Sequence, residues 1–211
     1  MDVLADNIVV KGGWVMVPII IGSIIALGLA IERGMLLWRI RLNIRKFADD
    51  VLSLVERGHR DLAMEACAKT EHPIGMVFKT GLEHWDDEPA DMERSMEHIG
   101  NEEVERLEKR MNLFLIIVGV EPMLGFLGTI LGLIQAFMAW EQHATSITVD
   151  RLAAGIYQAM ITTAGGLLVA IPFYVIYSIY THVINRAAQH INHYGEELVQ
   201  LRRNSNSRKR K

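Results

Sequence analysis

Long apolar stretches alternate with polar segments along the chain, and three of them are long enough for helices that cross a bilayer. They cover residues 14–38, 111–140 and 152–185. A spanning helix needs about 20 apolar residues. The third stretch exceeds this length, so its last turns are expected to extend into the cytoplasm. The short segment 141–151 between the last two stretches predicts an antiparallel helical hairpin.

The polar segment 39–110 has the periodicity of α-helices and shows no strand pattern. Short helices are predicted at about 47–55, 60–69 and 73–84, and Gly58 separates the first two. Together they predict a helical domain on the cytoplasmic side of the membrane.

A further helix is predicted to begin near Pro89, because acidic residues and proline are favoured in a first turn. No glycine or proline follows between residues 101 and 112. The sequence therefore predicts one continuous helix from Ala90 into the second span, forming a rigid stalk. In the third span, Pro172 removes a backbone donor and is expected to kink the helix.

Basic residues set the predicted orientation. They cluster after the first span, before the second and after the third, whereas the opposite loops carry few. The positive-inside rule places the amino-terminal segment 1–13 and the 141–151 loop in the periplasm, and the carboxyl terminus in the cytoplasm. This topology predicts a multi-pass membrane protein.

Both ends of the chain admit a second interpretation. Residues 14–38 could be a signal peptide, but the start is acidic and no small-residue cleavage site follows. The basic tail 186–211 is predicted to be disordered from Arg202 onward and attracted to anionic lipid. Nucleic-acid binding by this tail is disfavoured, because no aromatic residues alternate with its arginines.

Composition supports a membrane protein with a modest aqueous part. The chain has 211 residues, of which 50% are hydrophobic and 22% charged, with a net charge of -3. These charges are segregated rather than spread evenly. The single cysteine, Cys67, cannot form an internal disulfide. No nucleotide-binding loop or triad spacing is present, and His190 and His193 lack further ligands for a metal. We therefore expect no enzyme activity, no metal and no cofactor.

Small and hydroxyl-bearing residues mark one face of each of the last two spans. The second span carries Gly125, Gly128, Thr129 and Gly132 on one face. On the third span, the corresponding residues are Thr163 and Gly166 on one face, with Gln158 and Thr162 beside it. One interpretation is close helix packing. The other is a polar, partly hydrated lining through which a proton or another cation passes.

Glu121 is the one formally charged residue inside the last two predicted spans. It is either a carboxylate at the membrane interface or a titratable group at the inner mouth of a proton path. Pro122 follows it directly and frees a backbone carbonyl one turn back.

Two motifs resemble those of the MotA/TolQ/ExbB proton-channel family. The run EPMLGFLGT, residues 121–129, resembles the family's A-P-x-L-G-L-L-G-T-V segment. The run GIYQAMITTAGGL, residues 155–167, resembles G-I-x-E-A-L-x-x-T-A-x-G-L, and the Ala-Ile-Pro of residues 170–172 follows it. The resemblance covers nearly the whole chain and is greater to the three-span ExbB and TolQ branch than to the four-span flagellar branch.

The resemblance implies an all-α, three-span protein of the bacterial inner membrane that assembles as a homopentamer around two copies of a single-span partner. That partner would be similar to ExbD or TolR and would carry an essential aspartate. Flow of the coupling ion, H+ with Na+ as the alternative, would move the partner and act on a TonB-like or TolA-like protein. Outer-membrane transport or a related envelope process would thereby be energised.

The family's pore-facing threonines correspond to Thr129 and Thr163. Its third-span glutamate corresponds to Gln158, which cannot titrate, and its alanine corresponds to Glu121. These two departures could compensate for one another, which is a hypothesis.

Two other function classes remain to be separated from an ion-driven motor. One is a non-conducting membrane scaffold for an envelope complex. The other is a small-molecule transporter, which is disfavoured because no inverted repeat or pair of broken helices appears. The sequence leaves open which envelope process is served and whether protons or sodium ions drive it.

Overall fold

A computed structural model describes the backbone of residues 12–40, 44–142 and 149–209, and the side chains of these except 142, 149–152 and 206–209. Within these ranges the chain is α-helical and contains no strand. The helices are α1 (Met16–Arg39), α2 (Ile44–Glu56), α3 (Arg60–Ala68), α4 (Pro73–Glu83), α5 (Pro89–Glu108), α6 (Met111–Gln142) and α7 (Val149–Lys209). The predicted all-α class is confirmed.

Three helical stretches of the described chain are long and apolar enough to cross a membrane, one each at α1, α6 and α7. This agrees with the three predicted spans. Most of segment 1–13 and of the 141–151 loop lies outside the described residues. Pro172 lies inside α7, which continues past it to Lys209.

The helices divide between two compact units, and each unit includes part of α1 and part of α7. The first unit contains α1 up to Glu32, then Arg110 with α6, and α7 up to Ser178. Buried Val15, Met16 and Ile19 of the α1 segment pack there against partly buried apolar side chains of α6 and α7.

The second unit contains the end of α1, the helices α2 to α5, and α7 from Ile179 onward. Its core is apolar and includes Phe78, Met92 and Leu198, which have almost no exposed surface. The predicted breaks between its helices are confirmed. Gly58 has a φ of +81°, which glycine adopts without steric cost, and Pro73 begins α4.

The predicted continuous stalk is wrong. Helix α5 ends at Glu108 and α6 begins at Met111. Between them Arg110 has a φ of +65°, which is uncommon for a residue with a Cβ. Its guanidinium binds the carboxylate of Glu32 on α1, with both oxygens 2.6 Å away. The break lies at a charged residue without glycine or proline, so local sequence gives no breaker signal.

The prediction of a disordered tail from Arg202 is also wrong, because α7 continues to Lys209. Arg202 is 8% exposed and donates from Nε to the carbonyl oxygen of Trp85. The next residue, Arg203, forms an ion pair with Glu93 at 2.7 Å. These contacts within the second unit hold the last turns of α7 in place, and the sequence alone does not reveal them.

Candidate functional site

The first unit contains a seam of small residues where α6 meets α7. A Cβ added to Gly125 would lie 3.1 Å from Cα of Thr163, and one added to Gly166 would lie 2.6 Å from the carbonyl oxygen of Glu121. At Gly128, an added Cβ would collide with the side chain of Thr162. The two backbones approach this closely only because these positions lack side chains.

A pair of threonine hydroxyls lies on this seam. The Thr163 hydroxyl donates to the carbonyl oxygen of Gly125 at 3.0 Å and shares a short hydrogen bond with the Thr129 hydroxyl. Thr129 also lies 3.3 Å from the carbonyl oxygen of Ala159. Both threonines are only partly buried, whereas the neighbouring glycines are buried. The structure thus brings together the two residues at which the resemblance places the ion path.

Thr162 and Gln158 contact the residues that precede α1, and the Thr162 side chain also faces Gly128 of α6. The Thr162 hydroxyl is fully buried, 2.8 Å from the carbonyl oxygen of Gln158 and 3.2 Å from that of Gly12. The Gln158 amide nitrogen lies against Gly13, where an added Cβ would collide with it. Thr162 therefore has the environment of a packing residue within the subunit.

Glu121 is buried in the first unit with 2% of its surface exposed. Its carboxylate lies against Gly22 of α1, where a Cβ would collide with Oε1. Its Oε2 is buried and has no hydrogen-bond partner among the described residues. A buried carboxylate oxygen without a hydrogen-bond partner is costly in free energy. The carboxylate of Glu121 therefore lies at the contact between α6 and α1.

An apolar layer separates Glu121 from the Gln158 region within the subunit. Gln158 contacts Gly13, Glu121 contacts Gly22, and the buried Met16 and Ile19 lie between these glycines in the chain. The helical rise from Met16 to Gly22 is about 9 Å. Glu121 therefore does not occupy the place that a glutamate at position 158 would occupy.

Sequence reasoning missed several residues that build this site. Gly13 lies just before the first span and Gly22 lies within it, and they contact the side chains of Gln158 and Glu121. Gly155 packs against Ala136, and Ala159 packs against Gly132, so the seam continues beyond the predicted residues. The regular spacing of Gly155, Ala159, Gly166 and Ala170 could have revealed this continuation, whereas nothing in the sequence pairs Gly22 with Glu121.

Comparison with known proteins agrees with the resemblance found in the two motifs. The model of the MotA/TolQ/ExbB proton channel family matches residues 69–193. The putative biopolymer transport protein ExbB-like 1 of Synechocystis is 31% identical over 193 residues, covering 89% of this chain and 75% of that protein. ExbB-like 3 from the same organism is 30% identical, covering 76% and 77%. The Tol-Pal system protein TolQ of Haemophilus influenzae is 33% identical over 51% of this chain and 47% of its own.

Proposed function

Because the chain belongs to the MotA/TolQ/ExbB proton channel family, and to its ExbB/TolQ branch, we propose that it is the membrane subunit of an ion-driven motor. Five copies surround two copies of an ExbD-like or TolR-like single-span protein in the inner membrane. Ion flow moves that partner, and the motion reaches a TonB-like or TolA-like protein. The observation that carries the proposal is the hydrogen-bonded pair Thr129 and Thr163, which lies at the family's motif positions.

The topology proposed for this motor follows from charge. Arg39, Arg45 and Lys46 follow the first span, and Arg106 to Arg110 precede the second. The positive-inside rule then places the amino terminus in the periplasm and the second unit in the cytoplasm. Helix α7 belongs to the first unit up to Ser178 and to the second unit from Ile179 onward.

In this proposal, the threonine hydroxyls line the route of the coupling ion. A hydroxyl both donates and accepts hydrogen bonds, so it can orient water for proton transfer or coordinate a bare cation. Gln158 cannot carry a proton, so the titrating group is the aspartate of the partner, assisted by Glu121 in the subunit. The coupling ion is H+, and Na+ is the alternative that the same hydroxyls would serve.

A non-conducting scaffold is the second candidate, and one observation favours it. Both threonine hydroxyls find backbone acceptors inside the subunit, Gly125 and Ala159, as packing alone would require. A scaffold needs the small-residue seam and has no need of a titrating partner. The two candidates therefore differ in whether ion chemistry matters.

Coexpression with an ExbD-like or TolR-like single-span protein from the same organism separates the two candidates. A motor requires that the two proteins copurify and that changing the aspartate in the partner's apolar run to asparagine abolishes energised envelope function. The complex must still assemble with that change. Thr163→Val in this chain should also abolish energised envelope function. Its matched control is Thr80→Val, which removes a hydroxyl from the second unit. Full function with the asparagine partner would establish the scaffold instead.

A further inference from the structure

A cleft of about 550 Å³ in the second unit is lined by the end of α1, the start of α2, the amino-terminal cap of α4, and α7. It has no part in the ion path described above. Its lining includes two arginines and three histidines and, among the described residues, no carboxylate: Arg45, Arg186, His72, His182 and His190.

The positive groups of this cleft are close to one another and lack acidic partners. Arg45 and Arg186 form no ion pair within the described part of the chain. Burial lowers the pKa of His190, and the charges of Arg186, His193 and Arg45 lower it further. Mutual repulsion of this kind is relieved when an anion binds between the cations.

Most of the remaining residues that line the cleft are aliphatic. Leu37 and Ile40 come from the end of α1, Ile44 begins α2, and Val183 and Ala187 belong to α7. Trp38 beside them is 71% exposed, as tryptophans at a membrane surface are. A small soluble anion gains nothing from aliphatic walls, whereas a lipid brings its own apolar chains beside its phosphate.

We propose that this cleft binds the phosphate headgroup of an anionic phospholipid from the leaflet on the side of the second unit. The two arginines contact the phosphate, and Leu37, Ile40 and Ile44 pack against the upper acyl chains. The inference requires only that the chain spans a membrane with this cleft at its surface, so it stands apart from the motor proposal.

The test measures lipid binding to the purified full-length protein by native mass spectrometry, with phosphatidylglycerol and phosphatidylcholine titrated separately. The cleft variant is Arg45→Gln with Arg186→Gln. The control is Arg57→Gln with Arg94→Gln, which removes the same charge from exposed positions of the same unit outside the cleft. At about 1 kcal/mol for each basic residue near anionic lipid, the cleft variant should bind phosphatidylglycerol at least about tenfold more weakly. The control should change binding less than about twofold.

Three results would overturn the proposal. The first is an equal loss of phosphatidylglycerol binding in the cleft and control variants, which would indicate unspecific charge attraction. The second is that the wild-type protein binds phosphatidylcholine as tightly as phosphatidylglycerol. The third is displacement of phosphatidylglycerol by millimolar inorganic phosphate, which would identify a soluble anion as the ligand.

A second measurement uses the wild-type protein and so does not depend on a variant that folds. Phosphatidylglycerol carrying a photoreactive group near its headgroup should crosslink to peptides containing Arg45 and residues 182–190. Crosslinking confined to the basic end of the chain, residues 202–211, would contradict the cleft as the binding site.

Discussion

Among single residues, Glu121 is the side chain whose environment is hardest to explain by packing. It is almost fully buried, it lies against a glycine of another helix, and one of its oxygens has no partner among the described residues. Burying an ionised carboxylate with an unpaired oxygen costs on the order of several kcal/mol. This cost supports the role proposed above for Glu121, in which its carboxyl group assists ion transfer.

Replacing Glu121 by glutamine tests this role, because glutamine keeps the shape of the side chain and cannot titrate. We expect Glu121→Gln to lower ion-coupled activity at least about tenfold while the thermal midpoint stays equal or rises, since glutamine keeps the shape of the side chain and cannot carry a buried charge. Gly22→Ala should lower activity as well, because the added methyl group displaces the carboxylate. If Glu121→Gln keeps full activity and Thr163→Val abolishes it, Glu121 has no part in ion transfer.

His72 predicts a pH dependence of stability in the second unit. It is the amino-terminal cap of α4, where its Nδ1 accepts from the backbone N–H of Ile74 at 3.1 Å. Burial and the neighbouring His190 lower the pKa of His72 from 6.5 to about 4. Between these values the unfolded chain binds more protons than the folded unit. The contribution of His72 to the free energy of unfolding therefore has its full value above about pH 6.5. It falls by up to about 3 kcal/mol as the pH drops to 4.

Thermal unfolding between pH 4 and 7 measures this effect. His72→Asn keeps a capping acceptor that does not titrate, so it should flatten the pH dependence. His98→Asn is the control, because His98 is 73% exposed on α5. The same slope in wild type and His72→Asn would show that other groups set the acid stability.

At the scale of helices, the α6–α7 seam predicts unequal effects of equal substitutions. A Cβ on Gly166 would meet the backbone of α6, which cannot rotate away. Gly119 also lies in α6, and a Cβ there would meet nothing within 4 Å. The position of a glycine on the seam, rather than its presence in a helix, should therefore decide the outcome.

Gly166→Ala should lower the free energy of unfolding by about 1–3 kcal/mol through overpacking. Gly119→Ala should leave it unchanged or raise it by about 1 kcal/mol, since alanine is the better helix former. The thermal midpoints of the two variants in the same detergent provide the comparison. Equal destabilisation by both substitutions would contradict the close approach of α6 and α7.

Helix boundaries were predictable where a residue enforces them locally. Gly58 and Pro73 act through their own backbone restrictions, and the observed helices break there. The break at Arg110 was not predictable, because it accompanies an ion pair with Glu32, which is far away in sequence. For the same reason, spacing revealed the threonines and glycines of the seam, whereas the contact between Glu121 and Gly22 required the fold.

Across the whole molecule, a polar seam lies inside a unit whose exterior is strongly apolar. Phe126, Leu168 and Ile171 are each more than half exposed in the single chain. In a membrane these faces meet lipid or other copies of the chain, which an isolated subunit does not provide. An ion path at the seam therefore requires an assembly of several chains and does not exist in the monomer.

Ion flux through the reconstituted complex tests that claim most directly. Proteoliposomes containing this chain and its single-span partner would receive an imposed proton gradient at constant sodium, and internal pH would be followed with a trapped dye. We expect flux that falls at least about tenfold with Thr129→Val and Thr163→Val together, and that persists with Thr163→Ser, which retains the hydroxyl. Undiminished flux in the double valine variant, or no flux of either H+ or Na+ through an assembled wild-type complex, would contradict the account.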